Sequence, residues 1–199
     1  MSKIVNPKEG YNLYADNYKK DYRKLKSFDN GVFFDFFPEK ACVSVELGVG
    51  DGRVSDSIKK ISDRFIGIDV SPKMLKNCIK SHGNLELVCA DLDFSIPLKE
   101  NSVDFAVAYF LFVHIKDAKG FIEEVNRILK KGGVFLFNLI HQKKPPVLKA
   151  GKQKFKIKSY YHIPSHIEEY LDYFWFDWER EDVLDGKFWV SKIYRAVKT

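Results

Sequence analysis

Between residues 42 and 140, short apolar runs alternate with stretches where apolar residues recur every three or four positions. The runs read CVSVEL, RFIGID, LELVCA, VDFAVAYF and GVFLFNLI. Their near-continuous apolar character predicts parallel strands covered on both faces. The intervening stretches predict helices with readable ends. Ser71 followed by Pro72 supplies an N-cap and a proline at the first helical position. In KDAKGFIEEVNRILKKGG, Phe121, Val125, Ile128 and Leu129 form one stripe, and Gly132 stands as a C-terminal stop. Such alternation predicts a doubly wound α/β fold with right-handed crossovers.

The flanks are patterned differently. Residues 8–37 read as helical and aromatic, with Tyr11, Tyr14, Tyr18, Tyr22, Phe28, Phe33, Phe34, Phe36 and Phe37. Past residue 140, KFKIKSYYHI sets lysines against Phe155, Ile157 and Tyr161 with period two, which predicts a half-exposed strand. PSHIEEYLDY carries Ser165 and Glu168 at capping-box spacing and is read as a helix. FWFDWERED and FWVSKIYRAV flank Asp185–Gly186 and predict an antiparallel hairpin.

Composition narrows the class. A chain of 199 residues, 45% hydrophobic and 30% charged, is expected to form one domain with a sizeable core. No apolar run approaches the ~20 residues that span a bilayer, and MSKIVNPKEGYNLYADNYKK has no apolar leader core. The expectation is therefore a cytoplasmic protein with no membrane attachment. Cys42, Cys78 and Cys89 form no C-x-x-C pair and are read as reduced thiols, neither a disulfide framework nor a metal site. The net charge of +6 is local: seven lysines lie within 143–158, and without them 26 basic residues face 27 acidic ones. Such a patch can attract nucleic acid or an acidic partner, but the solvated face of a loop and edge strand is the favoured reading, because edge lysines also discourage strand pairing.

The chemistry concentrates in ELGVGDG, where a strand runs into a helix, the place where open α/β sheets bind ligands. Gly48, Gly50 and Gly52 let the backbone turn sharply and a ligand approach it. Arg53 stands where a dinucleotide fingerprint wants Gly or Ala, and no Gly-Lys-Ser/Thr follows to make a P-loop. Glu46, at a strand end, needs a cation or several donors once desolvated. ELGVGDG itself holds no Lys or Arg, so a positively charged ligand is expected to supply the partner. Asp69 ends the next strand, 21 residues after Gly48, where an acid accepts hydrogen bonds from ribose hydroxyls. Asp91 follows the third strand and can accept from an exocyclic amine such as adenine's. Singly, strand-edge acids are ordinary helix caps. Three at successive strand ends beside a glycine loop point to a nucleoside-type ligand.

Residues 41–138 resemble the class I S-adenosylmethionine-dependent methyltransferases, in their small-molecule branch. VELGVGDGR is similar to that family's glycine motif and GIDVSPKML to its acidic loop. ADLDFSIPLKENSVDFAVAYFLFVHI resembles the adenine-contacting and fourth-strand segments, and FIEEVNRILKKGGVFLFNL the closing helix and fifth strand. The resemblance implies a mostly parallel seven-stranded sheet with a C-terminal antiparallel hairpin and N-terminal lid helices. Residues 1–40 would form the lid, 41–140 the cofactor-binding core and 141–199 a substrate-side strand, helix and hairpin.

It also implies S-adenosyl-L-methionine as cofactor. Glu46 would hold its ammonium, directly or through water. Gly48, Gly50 and Gly52 would line the methionine and ribose, and Asp69 would bind the ribose diol. Val70 and Met74 would pack on adenine, while Asp91 and the Leu92 backbone would read its edge. Tyr109 and Phe110 would flank the methyl donor, and Tyr18 would be a lid tyrosine, with Tyr11 beside it. Val49 departs from the Cys or Ala common in the family.

Methyl transfer from a sulfonium is an in-line displacement, so alignment and water exclusion dominate. A base is needed only if the acceptor atom carries a proton. His114 is the candidate, with His141 and His162 as further possibilities. Tyr11, His114, His141, Tyr161 and His162 are the candidate contacts of a small-molecule acceptor. One alternative is a methyltransferase acting on RNA or protein through 143–158. Against it, AYFLF stands where methylation of base amino groups calls for Asn/Asp-Pro-Pro-aromatic. A non-catalytic S-adenosylmethionine-binding protein is the other.

Overall fold

The computed structural model describes residues 2–21 and 31–199. The middle of the predicted N-terminal helical region, with Tyr22 and Phe28, lies outside the described residues. The chain runs β1 (Lys3–Val5), α1 (Pro7–Tyr14), α2 (Val32–Asp35), β2 (Ala41–Leu47), α3 (Ser55–Lys60), β3 (Ser62–Asp69), α4 (Pro72–His82), β4 (Glu86–Cys89) and β5 (Val103–Ala108). It continues through α5 (Ala118–Ile128), β6 (Leu129–Ile140), β7 (Leu148–Ala150), β8 (Gln153–Ile157), α6 (Pro164–Tyr173), β9 (Phe176–Asp185) and β10 (Phe188–Lys198). Among the described residues no helix is long and apolar enough to cross a membrane.

Seven strands form one sheet in the order β4-β3-β2-β5-β6-β10-β9. The first five are parallel, and β10 runs antiparallel between β6 and β9. This is the doubly wound, mostly parallel sheet with a C-terminal hairpin that the patterning predicts. Its reversal point lies at β2, where the chain goes first to β3 and later returns to β5. The C-terminal ends of parallel strands at such a point leave a crevice for ligands.

Both faces are buried, which explains the unbroken apolar runs. On one face Ile122, Val125, Phe135, Phe137 and Tyr194 pack together; on the other Phe33, Val54, Ile58, Phe105 and Leu136 do. The Phe137 and Tyr194 rings stack at 4.9 Å, and the Tyr194 hydroxyl donates to Glu168 Oε1 at 2.8 Å.

Two local readings are corrected. Gly132 does not stop a helix: α5 ends at Ile128, and Leu129 already pairs with Val103 in β6. Gly132, at φ +77°, sits where the register shifts between Val103 and Phe105, so it serves a bulge. Ser165 is not a cap, because α6 begins on Pro164 after Ile163. Glu168 instead holds Tyr194 and Arg180.

A second sheet has three strands, β1-β8-β7; β8 is the half-exposed strand expected after residue 140, whereas β1, β7 and their pairing with it are not predicted by the pattern. Lys3, Ile4 and Val5 pair in parallel with Phe155, Lys156 and Ile157. Phe155 and Ile157 point inward as expected and pack with Val5 and Tyr14, whereas Tyr161 lies beyond the strand and is exposed. Asn6 caps α1 by accepting from the Glu9 amide at 2.8 Å. Helix α1 crosses β8 so closely that a Cβ on Gly10 would meet Ile157 Cγ1 at 2.5 Å. This small sheet and α1 sit over the crevice.

Candidate active site

The turn after β2 begins with Gly48 and Gly50 at φ +73° and +57°, conformations that non-glycine residues adopt only at a cost. With this turn the Gly50 amide donates to Asp69 Oδ2 at 2.8 Å, while Oδ1 accepts from Ser71 at 2.8 Å. Asp69 is thereby fixed at the end of β3 with lone pairs left on both oxygens. Burial raises its pKa to about 6 against the effect of these amides. Ser71 caps α4 through the Met74 amide and is itself tied to Asn12 of α1 at 2.7 Å.

A cavity of about 240 Å³ opens here. Gly48, Gly50, Asp69, Val70, Met74, Asp91, Leu92, Tyr109, Phe110, Tyr11, Tyr18 and His114 all border it. Twelve residues singled out from the sequence therefore converge on one space, drawn from α1 and the turn after it, the first turn of α4, and the ends of four strands with the segments that follow them. Asp91 is exposed at its edge, with Oδ1 accepting from the Asp93 amide at 3.1 Å.

Glu46 and Gly52 are not among the lining residues. Glu46, 3% exposed, lies beneath the glycine turn and accepts from the Ser55 hydroxyl at 2.5 Å. Desolvation pushes its pKa up to about 8, opposed by Ser55 and by Arg53, with Asp69 and Asp51 adding to the rise. Its partners within the protein are thus a hydroxyl and the field of Arg53, which the motif's own composition did not reveal. Gly52 faces α4: a Cβ there would meet His82 at 2.5 Å.

The remaining candidates lie elsewhere. His141 packs on Tyr161 and Trp189, and His162 Nε2 sits 2.9 Å and 3.0 Å from the carbonyls of Phe112 and Ile115. None of His141, Tyr161 and His162 borders either of the two cavities described here.

The second cavity, of about 650 Å³, lies on the other side of Tyr11, Tyr18, Phe110 and His114, which border both spaces. Ile140, Val147, Leu148 and Ile157 give it an apolar wall, and Lys20 and Lys149 also border it. Within the shared partition, the Tyr11 hydroxyl is 2.7 Å from His114 Nε2, and His114 Nδ1 is 3.1 Å from the Lys158 carbonyl. Burial lowers the His114 pKa to about 4 and raises that of Tyr11 well above the usual phenol range, so both are neutral at pH 7.

Phe110 holds its place by an unusual backbone. Its φ is +60°, and its amide donates to Asn138 Oδ1 at 2.7 Å. Asn138, buried on β6, in turn donates to Ser191 at 3.2 Å. Neither Asn138 nor Asn12 was singled out from the sequence. The one polar residue inside GVFLFNLI was the available signal. Arg53 lies 4.2 Å from the Tyr109 ring centroid and 4.9 Å from that of Phe110, a cation held against aromatic faces.

Comparison with known proteins agrees with this geometry. Residues 45–137 match the family described as a methyltransferase domain. An uncharacterised protein of Methanocaldococcus jannaschii is 31% identical over 137 residues, covering 66% of this chain and 52% of that protein. A probable S-adenosylmethionine-dependent methyltransferase of Mycolicibacterium smegmatis is 30% identical over 92 residues, 46% of this chain and 35% of that one. The chain spans about half or less of the length of these relatives. Among solved structures, the DhpI-SAM-HEP complex superposes with a TM-score of 0.76 at 18% identity, covering 96% and 95% of the two chains. A methyltransferase from Haloferax volcanii in complex with the Trm112 activator gives 0.73 at 18% identity, covering 94% and 97%.

Sheet order and C-terminal hairpin are those of the methyltransferase Rossmann-like fold, and residues 45–137 match a methyltransferase domain within it. S-adenosylmethionine is the cofactor of the class to which this fold and this match point.

Proposed function

We propose that this protein transfers a methyl group from S-adenosylmethionine to a small-molecule acceptor seated in the 650 Å³ cavity. The observation that carries the reading is the shared partition: Tyr11, Tyr18, Phe110 and His114 border both cavities, so ligands in the two spaces would meet there. Alignment of two bound reactants is what this reaction asks of a protein.

The residues present fit the cofactor. The Tyr109 hydroxyl is buried at the first cavity and has no hydrogen-bond partner among the described residues. A buried hydroxyl of that kind calls for a polar ligand. Asp69 keeps lone pairs for a ribose diol, Val70 and Met74 offer an apolar surface for adenine, and Asp91 offers an oxygen for its amine. Glu46, one layer below and held protonated in the free protein by burial, would ionise as the ammonium arrives and then act on it through its charge rather than by lining the cavity. When bound, the cofactor supplies a methyl group already activated on a sulfonium. The chain's own task is to exclude water and orient the acceptor, which α1 serves by lying over both spaces. Neutral His114 offers an Nε2 lone pair, through Tyr11, to an acceptor atom that carries a proton.

Calorimetry with S-adenosylhomocysteine, followed by a screen of small aromatic and aliphatic acceptors for release of that product, tests the reading. Saturable binding in the micromolar range and product formation with a compact apolar acceptor are expected. No binding of S-adenosylhomocysteine to the folded protein refutes it.

A further inference from the structure

The partition between the two cavities has a direction built into its hydrogen bonds. The Lys158 carbonyl can only accept, so His114 Nδ1, 3.1 Å away, carries the ring proton. A neutral ring protonated there leaves Nε2 as an acceptor. The Tyr11 hydroxyl, 2.7 Å from Nε2, therefore donates its proton to the ring. What remains on Tyr11, facing the cavities, is oxygen lone pairs. We infer that Tyr11, polarised by His114 and Lys158, recognises the acceptor by a hydrogen-bond donor on its nucleophilic atom, selecting a neutral hydroxyl or amine over a group that can only accept.

The inference rests on the acceptor-cavity reading and adds a consequence. Methylating a hydroxyl removes the very proton that Tyr11 reads. The product ether would leave the Tyr11 oxygen unpaired in a desolvated space, a penalty that favours its departure. Tyr11 would thus separate acceptor from product by one hydrogen. The rest of the second cavity contributes shape and apolar contact, with Ile140, Val147, Leu148 and Ile157 on its walls. Burial acts in the same direction as the geometry: it keeps His114 neutral and Tyr11 protonated around pH 7.

Two measurements on the S-adenosylhomocysteine-loaded protein test this. Nitrogen-15 NMR of the histidine rings should show His114 neutral at pH 7 and protonated on Nδ1. Calorimetry should show 2-naphthol binding about tenfold or more tightly than 2-methoxynaphthalene, the loss expected for one unmade hydrogen bond in a buried site. In Tyr11→Phe the two affinities should converge to within about threefold, a ratio taken within one variant and so independent of its effect on the cofactor. Protonation on Nε2, an imidazolium at pH 7, or equal binding of the two probes to the unmodified protein overturns the inference. Binding of neither probe refutes the acceptor-cavity reading instead, and the ring tautomer still decides the polarity of the partition.

Discussion

Replacing Glu46 by Gln isolates one titrating group whose energetics the fold dictates. Glu46 is 3% exposed, and burial raises its pKa from 4.5 to about 8. The folded protein then holds this proton more tightly than the unfolded chain does. The group's contribution to stability is complete below about pH 4.5 and is lost as pH rises through about 8. At about 1.4 kcal/mol per unit, the loss reaches roughly 3 kcal/mol at pH 7 and approaches 5 kcal/mol above pH 8, an upper bound. Glutamine keeps an oxygen for the Ser55 hydroxyl but cannot ionise. Urea melts of the ligand-free protein and the variant, taken from pH 5 to 9, give the comparison. His114, lowered to about 4, titrates alike in both proteins and cancels in the difference, and Asp69, pushed up to about 6, cancels except for its coupling to Glu46. The wild type should lose several kcal/mol relative to Glu46→Gln across the window. Parallel curves, agreeing within about 0.5 kcal/mol, would refute the picture of Glu46 as a desolvated acid protonated in the free protein.

Asp69→Asn should weaken S-adenosylhomocysteine binding by about tenfold or more, the cost of a charge-assisted hydrogen bond, as read by calorimetry. An unchanged dissociation constant would remove Asp69 from the ribose site. Gly10→Ala places a methyl group 2.5 Å from Ile157 Cγ1 and should destabilise the packing of α1 on β8 by about 1–3 kcal/mol. Faster hydrogen exchange in residues 3–14 and 153–157, with the large sheet unaffected, is the expected result. Asn138→Leu leaves the Phe110 amide without its 2.7 Å acceptor while φ there stays at +60°, so a loss of about 1–3 kcal/mol in thermal or urea stability is expected. A variant as stable as the parent would show that Asn138 is not what holds the turn.

The large sheet was readable because two-sided burial writes itself as uninterrupted apolar runs, and the cap at Ser71 because Ser-Pro has few other uses. Strand-end acids were readable as a set because a parallel sheet brings successive strand ends to one edge. The failures have local causes. Gly132 sits at positive φ whether it ends a helix or kinks a strand, and nothing in the one-dimensional pattern separates the two. Ser165 lost its capping role to Pro164, which already satisfies the first turn by lacking an N–H. Glu46 pairs with Ser55 and feels Arg53 because the glycine turn folds the chain back on itself, which only coordinates disclose. Three residues of β1 are too few to carry a period, and their partners lie at the far end of the chain.

That pairing has a bearing on how the protein is made. Lys3 joins Phe155 across about 150 residues of intervening chain, so during synthesis the first strand must wait until most of the polypeptide has emerged. The five parallel strands end by Ile140, whereas the roof strand β8 and the closing hairpin β9–β10 all follow it in the chain. Closure of the two chambers would then be among the last events in a nascent molecule, and a chain interrupted before residue 157 would lack β9 and β10 as well, leaving β6 an open edge and both chambers exposed to water.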